Sequence, residues 1–258
     1  MEKLLRFDIA AYEQMVNQPQ NAGKIETVKD PALFYINQEI TLGDISKYEV
    51  SAKIGRGRYS EVYSGIEKNT NNKVIIKILK PINKTKIKRE VVILKYLKDS
   101  PNSVHLLDIT KGEGTDIYCL IYNSISGHEL KLFSINMTPE DLKLYIYKIL
   151  ECLNFCHSKK IMHRDIKSGN IVVNSITKEL NVIDWGLSEY YIENYKYCTR
   201  VGTRYYKSPE LLLDYKKYDY AIDLWSVGCQ QRDHQHGRGD QQGYRGHLDL
   251  RYRPRQGL

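Results

Sequence analysis

A short polar stretch in the second half of the chain holds side chains that the fold must bring together. The segment Met162–Asn170 contains the carboxylate of Asp165, the ammonium of Lys167 and an amide, Asn170. A second carboxylate, Asp184, follows after two short apolar runs. Carboxylate and amide oxygens are the ligands that Mg²⁺ prefers, so Asn170 and Asp184 are candidate metal ligands. Asp165 is a candidate base for a hydroxyl group, and Lys167 is a candidate partner for developing negative charge.

The residues ahead of this stretch predict a small lobe that is rich in β-strands. From Tyr48 onward, short runs of β-branched and aromatic residues are separated by turn residues. One stretch among them has a helical period instead. The expected strands cover residues 48–54, 62–65, 73–79, 104–109 and 117–122, and the apolar period of the helix is Ile87, Val91, Leu94 and Leu97.

After Gly127 the pattern becomes helical. Thr138 is a good helix cap, because Pro139 and two acidic residues follow it in the first turn. Asp219 is expected to cap a last helix that runs through Trp225 and Cys229. A buried helical stripe is expected at Leu142, Ile146, Ile149, Leu150 and Leu153, and short strands are expected at residues 171–173 and 180–183.

The two patterns meet near residues 124–128 and predict a bilobal α+β architecture, with the polar set at the junction of the lobes. The expected organisation is an N-terminal extension with some helix (1–47), a small lobe (48–125), a helical lobe (126–229) and a tail (230–258).

The tail differs from the rest in composition. Lysine is absent after Cys229, whereas arginine recurs among Gln, Gly and His. The few aliphatic residues of the tail cannot bury enough apolar surface to order it. We therefore expect the tail to be disordered or to result from a shifted reading frame, and the helical lobe to be truncated. An RNA-binding arm is the alternative, but two tyrosines offer little stacking surface, and nucleic acid is not an expected partner.

Composition favours a reducing compartment over a membrane or an extracellular setting. The five cysteines are scattered, and Cys152 and Cys156 have the spacing of core thiols on one helix face. No apolar run approaches the roughly 18 residues of a membrane-spanning helix, and no signal peptide is expected. We expect cytoplasmic or nuclear residence. The net charge of +8 suits acidic partners, with a merely solvated basic surface as the alternative.

A glycine-rich segment lies between two of the expected strands. It consists of Ile54, Gly55, Arg56, Gly57, Arg58, Tyr59, Ser60, Glu61 and Val62. Glycine lets backbone N–H groups approach phosphate oxygens, but an ordinary hairpin turn would use glycine as well, and both interpretations stay open. The strand that follows argues against a dinucleotide-binding motif, which requires a helix there.

Lys77 is a charged residue inside an apolar strand. Its aliphatic neighbours leave it in need of a partner, and Glu90 on the following helix can supply one. Either Lys77 holds the α- and β-phosphates of a nucleotide and is itself held by Glu90, or it extends from an edge strand into solvent. Together with the polar stretch, the first interpretation predicts transfer of the γ-phosphate of ATP to a hydroxyl group with Mg²⁺.

The chain resembles the eukaryotic protein kinases and, among them, the catalytic subunits of the casein kinase 2 family. The resemblance covers about residues 48–229. Trp185 is the discriminating residue, because most kinases carry Phe there, and Ser168 stands where the family has Pro. The most specific segments are residues 55–62, 77–81, 87–90, 157–158, 161–165, 184–186, 204–210 and 223–228.

The resemblance implies a serine/threonine protein kinase that acts on acidic target sequences. It implies ATP, with GTP as an alternative, and Mg²⁺ as cofactors, activity without activating phosphorylation, and a dimeric regulatory subunit on the small lobe. Because the helical lobe is expected to be truncated, the alternative that the chain is a non-catalytic scaffold stays open. Besides the glycine-rich segment, the implied nucleotide contacts are Ile75, Lys77, Glu90, Tyr122, Asn123, Ile125, Val172 and Ile183. The implied substrate contacts are Lys84, Lys86, Arg200, Arg204 and Lys207, and Asp223 is implied to anchor the catalytic segment.

Overall fold

The computed structural model describes residues 30–81, 83–130 and 137–235. Five strands form an antiparallel sheet in the N-terminal lobe, and they are β1 (Tyr48–Arg56), β2 (Ser60–Glu67), β3 (Asn72–Leu79), β4 (Leu106–Lys111) and β5 (Tyr118–Asn123). Their order in the sheet is β1-β2-β3-β5-β4, which confirms the predicted β-rich lobe. The central position of β3 places Lys77 inside the sheet and contradicts the alternative of an edge strand.

The strand β4 begins two residues later than the sequence pattern predicted. The residues before it pair with the second lobe instead. Val104 N donates to Val182 O at 3.1 Å, and Val182 N donates to Asn102 O at 2.8 Å. The connection that leads into β4 therefore joins the two lobes.

Helix α1 (Lys84–Tyr96) packs its predicted apolar face into the core. Its N-terminus is capped by the side chain of Asn83, which accepts a hydrogen bond from Thr85 N. Ile87, Val91 and Leu94 are buried, and Glu90 is buried on the same face. A buried carboxylate requires a charged or hydrogen-bonding partner, and the position of Glu90 directs it toward β3.

Helix α2 (Pro139–Ser158) is the long helix of the second lobe. Thr138 caps it as predicted, with Oγ1 accepting from Asp141 N at 3.1 Å. The buried face is Tyr145, Ile149, Cys152, Leu153 and Cys156. Leu142, Ile146 and Leu150 are only half-buried, because the helix contacts the core along a stripe rotated from the expected one.

The chain ends its described part in helix α4 (Ala221–Gln235), which follows a short helix, α3 (Pro209–Leu212). Asp219 Oδ1 accepts from Ala221 N at 2.8 Å, as expected of a cap, and the helix continues past Cys229 to Gln235. The first residues of the predicted tail are therefore helical, and residues 236–258 of that tail lie outside the described residues. Helix α4 packs against α2 and buries Ile222 and Val227. Among the described residues, no helix is long and apolar enough to cross a membrane.

Five two- and three-residue strands position the polar stretch between the lobes. They are β6 (His128–Glu129), β7 (Ile161–Met162), β8 (Ile171–Val173), β9 (Leu180–Val182) and β10 (Glu189–Tyr190). The strand β7 pairs with β10, and the others form a sheet in the order β6-β8-β9. Because Ile171 pairs with Val182, Asn170 lies opposite Ile183, and Ile183 N donates to Asn170 O at 2.9 Å. This pairing brings Asn170 close to Asp184.

Residues 30–47 lie against both lobes. Asp30 caps a 3₁₀ turn at Pro31–Phe34, and the ring of Phe34 stacks on Tyr190 with centroids 4.7 Å apart. Gly43 N donates to Ile109 O of β4 at 2.8 Å. The segment ahead of the sheet is therefore part of the packed structure in its described portion.

Candidate active site

An ion-pair cluster lies between β3, α1 and the residue after β9. Lys77 Nζ lies 2.7 Å from Glu90 Oε1 and 2.9 Å from Asp184 Oδ1. Burial opposes the charge on Lys77, but the Glu90 and Asp184 carboxylates raise its pKa well above the ordinary value. The ammonium of Lys77 in turn lowers the pKa of Asp184 to about 2. Lys77 and Asp184 are therefore both charged at neutral pH.

Tyr122 closes the back of this cluster. It lies on β5 opposite Ile75 of β3, and its hydroxyl donates to Glu90 Oε1 at 3.3 Å. Burial raises the pKa of this phenol well above its ordinary value, so it stays a hydrogen-bond donor. Two neighbouring strands, β3 and β5, thus each donate one side-chain hydrogen bond to the same oxygen of Glu90. No local sequence pattern predicts this contact, because 32 residues separate the two groups.

The glycine-rich segment forms the turn between β1 and β2. Gly57 N donates to Ser60 O at 2.8 Å and closes the turn. Val62, the last residue of the segment, pairs with Lys77 across β2 and β3, so the segment leads directly to the ion-pair cluster. At the tip, the ring of Tyr59 lies 5.5 Å from Lys86 Nζ. A strand follows the turn, as the sequence pattern required.

The other apolar residues proposed to contact the nucleotide come from both lobes. Ile75 on β3, Val172 on β8 and Ile183 after β9 are each half-buried, so part of each side chain remains accessible. Asn123 and Ile125 at the connection between the lobes are half-buried as well, and the side chain of Asn123 accepts from His105 N at 2.9 Å. Both lobes therefore contribute apolar side chains that are not fully buried.

Residues 163–170, which we call the catalytic loop, place the acidic, basic and amide groups together. Lys167 Nζ lies 2.8 Å from Asp165 Oδ2. Asn170 Nδ2 donates to Asp165 Oδ2 at 3.0 Å and to Asp165 O at 2.9 Å. The amide oxygen of Asn170 is left as its acceptor end. Together with the half-exposed Asp184 carboxylate, it forms a pair of hard oxygen donors of the kind that fits Mg²⁺.

Thr203 is a member of the site that sequence reasoning missed. Its hydroxyl donates to Asp165 Oδ1 at 2.8 Å and accepts from Lys167 Nζ at 3.0 Å. It therefore bridges the carboxylate of Asp165 and the ammonium of Lys167. Thr203 lies 38 residues after Asp165, and no local spacing relates the two, so only the fold reveals the contact.

Asp223 on α4 anchors the start of the catalytic loop. Its carboxylate is fully buried and accepts from His163 N at 2.8 Å and Arg164 N at 2.7 Å. His157 Nε2 lies 3.0 Å from Oδ2. Burial opposes ionisation of Asp223, but these hydrogen bonds keep its pKa below the ordinary value. The anchor holds Arg164 in a left-handed backbone conformation, with φ of 68°, that a non-glycine residue adopts only under constraint.

Glu189 on β10 is another important residue that the sequence analysis did not identify. Arg89 Nη1 of α1 lies 3.0 Å from Glu189 Oε2, and Arg164 Nη2 lies 3.9 Å from the same atom. Tyr35 OH donates to Glu189 Oε2 at 3.4 Å. Arg89 Nη2 also donates to Gly186 O at 3.0 Å. One buried carboxylate therefore links the N-terminal segment, helix α1 and the catalytic loop to residues 184–210, which we call the activation segment.

The basic residues proposed to contact substrate lie in two groups. Lys84 and Lys86 are exposed at the start of α1, where Lys84 Nζ lies 3.8 Å from Asp116.

The second group lies in the activation segment. Arg200 and Arg204 are exposed there, and Lys207 Nζ donates to Thr199 O at 3.2 Å. Arg204 directly follows Thr203, so the second group adjoins the catalytic loop.

The five cysteines are free thiols, and Cys152 and Cys156 are fully buried, as the sequence predicted for core residues. Burial raises the pKa of Cys152 to about 12, so this thiol is not a reactive group.

Comparison with known families agrees with this geometry. The family model described as "Protein kinase domain" matches residues 48–233, which is most of the chain. The match begins at β1 and ends within α4, and it includes the ion-pair cluster, the catalytic loop and the activation segment. Members of the family transfer phosphate from ATP to proteins and generally use Mg²⁺. On this match and this fold, the chain belongs to the protein kinase domain family.

Proposed function

We propose that this chain is a serine/threonine protein kinase of the casein kinase 2 type. It transfers the γ-phosphate of ATP to serine or threonine hydroxyls in acidic sequence contexts. The observation that carries the proposal is the assembled site, in which the Lys77–Glu90–Asp184 cluster faces the Asp165–Lys167 pair bridged by Thr203.

The side chains divide the work between nucleotide and acceptor. Lys77 holds the α- and β-phosphates, and Glu90 fixes its ammonium. The oxygens of Asn170 and Asp184 would hold Mg²⁺, and the bound ion would supply positive charge to offset that of the phosphates. Asp165 orients the acceptor hydroxyl and accepts its proton, and Lys167 offsets the charge that develops on the transferred group.

The preference for acidic targets is supported by charge. Arg200 and Arg204 are exposed beside the catalytic loop, and Lys84 and Lys86 are exposed on the small lobe. Guanidinium groups bind carboxylates with paired hydrogen bonds, so acidic residues near the acceptor serine gain favourable contacts. The net charge of +8 attracts acidic substrates at longer range.

Activity without activating phosphorylation is supported by Glu189. In this arrangement Arg89 and Arg164 already have a buried carboxylate, that of Glu189, to bind. A phosphate on the activation segment would serve to recruit such arginines. A fixed glutamate makes that recruitment unnecessary.

We infer a regulatory partner on the small lobe from the family resemblance. Val50 on β1 is an exposed apolar side chain of this sheet that such a partner can contact. We include use of GTP beside ATP, and cytoplasmic or nuclear residence, in the proposal on the strength of the family resemblance.

The direct test is phosphate transfer from γ-labelled ATP to matched peptides. We expect turnover of a serine peptide flanked by Glu and Asp, weaker turnover of a basic serine peptide, and none of the tyrosine analogue. Asp165→Asn is the control, and it should abolish transfer while ATP still binds. A folded preparation that binds ATP but phosphorylates no peptide would identify a scaffold and refute the proposal.

A further inference from the structure

We propose that the hydroxyl groups of Ser168 and Tyr206 form a contact that positions Lys167 for transfer, an inference that rests on the proposed kinase function. Ser168 Oγ and Tyr206 OH lie 3.2 Å apart. Ser168 directly follows Lys167 in the catalytic loop, and Tyr206 lies in the activation segment, three residues after Thr203. The contact joins the two segments that carry the acceptor side of the site.

The backbone at Ser168 explains why such a contact is needed. Lys167 is extended, with φ of −162° and ψ of 161°, and Ser168 is the first residue of a 3₁₀ turn. An extended residue followed by the first residue of a helical turn is a position that suits proline. Serine does not restrict φ as the proline ring does, so a tertiary contact must supply the rigidity that the sequence omits.

Tyr206 is itself fixed to helix α4. Tyr206 O accepts from Ser226 Oγ at 2.8 Å, and Tyr206 N donates to Thr203 O at 2.9 Å. Ser226 lies three residues after Asp223, so the two are neighbours on one face of α4. The catalytic loop is thus held to the same helix at both ends, at its start by Asp223 and near its end through Tyr206.

The position of Lys167 depends on the second of these attachments. Its ammonium lies between Asp165 Oδ2 and Thr203 Oγ1, at 2.8 Å and 3.0 Å. Movement of residue 168 shifts the backbone that carries this ammonium. The Lys77–Glu90 pair is fixed by other elements and is not touched by the contact. We therefore expect the hydroxyl pair to affect the transfer step and to leave nucleotide affinity unchanged.

The test uses single-atom changes in the full chain. Tyr206→Phe and Ser168→Ala should each lower kcat about fivefold with KM for ATP unchanged, the effect of losing one neutral hydrogen bond. The double variant should lose no more than either single variant, because both remove the same contact. Tyr205→Phe is the matched control, since that neighbouring side chain is 82% exposed, and it should behave as wild type.

The decisive test is whether Ser168→Pro restores the activity that Tyr206→Phe removes. In the Ser168→Pro background, Tyr206→Phe should change kcat by less than twofold. Amide hydrogen exchange over residues 166–170 should rise in Tyr206→Phe and fall again when Ser168→Pro is added. A Tyr206→Phe effect that is absent, or that is equal in both backgrounds, would overturn the positioning role while an active wild type preserved the kinase proposal. An inactive wild type would refute the kinase proposal and the positioning role together, whatever the exchange data showed.

Discussion

Glu90 shows how a single buried carboxylate organises its neighbours. It is 4% exposed and accepts from Lys77 and Tyr122 on the same oxygen. A charge this deeply buried is tolerated only because its partners are in place. Removing Lys77 alone therefore leaves the Glu90 charge uncompensated and lowers stability. Removing both charges restores stability without restoring the proposed role of Lys77 in activity, so the two effects can be measured separately.

We expect Lys77→Met to abolish phosphate transfer and to lower the free energy of unfolding by about 3 kcal/mol, since Glu90 loses its counter-ion. Adding Glu90→Gln should recover most of the stability and none of the activity. Urea unfolding and the peptide assay together measure this. Activity in Lys77→Met above a hundredth of the wild-type value would contradict the role of Lys77 in holding phosphates.

Asp184 makes stability depend on acid. Its pKa is lowered from 3.8 to about 2 by Lys77, so the stabilisation is present above pH 4 and is lost as the pH falls toward 2. Asp184→Asn lacks this contribution at every pH. The difference in unfolding free energy between wild type and Asp184→Asn should therefore shrink between pH 4 and pH 2. Parallel curves over that range would show that the ion pair contributes no stability.

At the scale of elements, helix α4 combines an ordinary cap with an anchor for the site. Asp219 satisfies one backbone N–H at the start of the helix, near its solvent-exposed end. Asp223, one turn later, is buried and satisfies two backbone N–H groups of the catalytic loop. Two aspartates on one element thus have different functions because their surroundings differ.

The two aspartates form a matched pair for mutation. Asp219→Ala should cost about 1 kcal/mol of stability, as the loss of a cap does, with normal peptide turnover. Asp223→Asn turns one acceptor into a donor that faces a buried N–H, so we expect a loss of about 3 kcal/mol and of most of the activity. Thermal unfolding and the peptide assay distinguish the two. Equal effects of the two changes on kcat would argue against a special role for Asp223.

At the scale of the whole molecule, Glu189 links parts of the chain that are far apart in sequence. Arg89 is 100 residues before it and Tyr35 is 154 residues before it. The N-terminal segment, the small lobe and the activation segment therefore meet at one carboxylate. Burial and this carboxylate raise the pKa of Tyr35 to about 12, so its phenol donates throughout the neutral range.

We expect Glu189→Gln to lower kcat about tenfold, because the hydrogen bond from Arg89 and the longer ion pair with Arg164 both lose their charged acceptor. Phosphatase treatment should leave wild-type activity unchanged, since the activation segment is held by a carboxylate. The measurement is peptide turnover before and after treatment. A wild-type protein inactivated by phosphatase would show that a phosphate, not Glu189, holds the segment.

The sequence determined the elements and the identity of the polar residues. Periodicity located the sheet of the small lobe and helix α1, and the cap at Thr138 set the start of α2, because these signals are local in the chain. The pairing of Lys77 with Glu90 was also predictable, since an isolated lysine in an apolar strand requires a partner. The exact buried stripe of α2 was not predictable, because tertiary contacts determine which of its partly apolar faces is buried.

Only the tertiary structure decided which distant residues complete the site. Thr203 on Asp165, Tyr122 on Glu90 and Glu189 between two arginines are contacts across many residues of chain. No local pattern predicts these contacts, because most hydroxyl and carboxylate side chains simply lie on the solvated surface. They become functional when the fold buries them beside an opposite charge or an unsatisfied hydrogen-bonding group, where a misplaced partner would be costly.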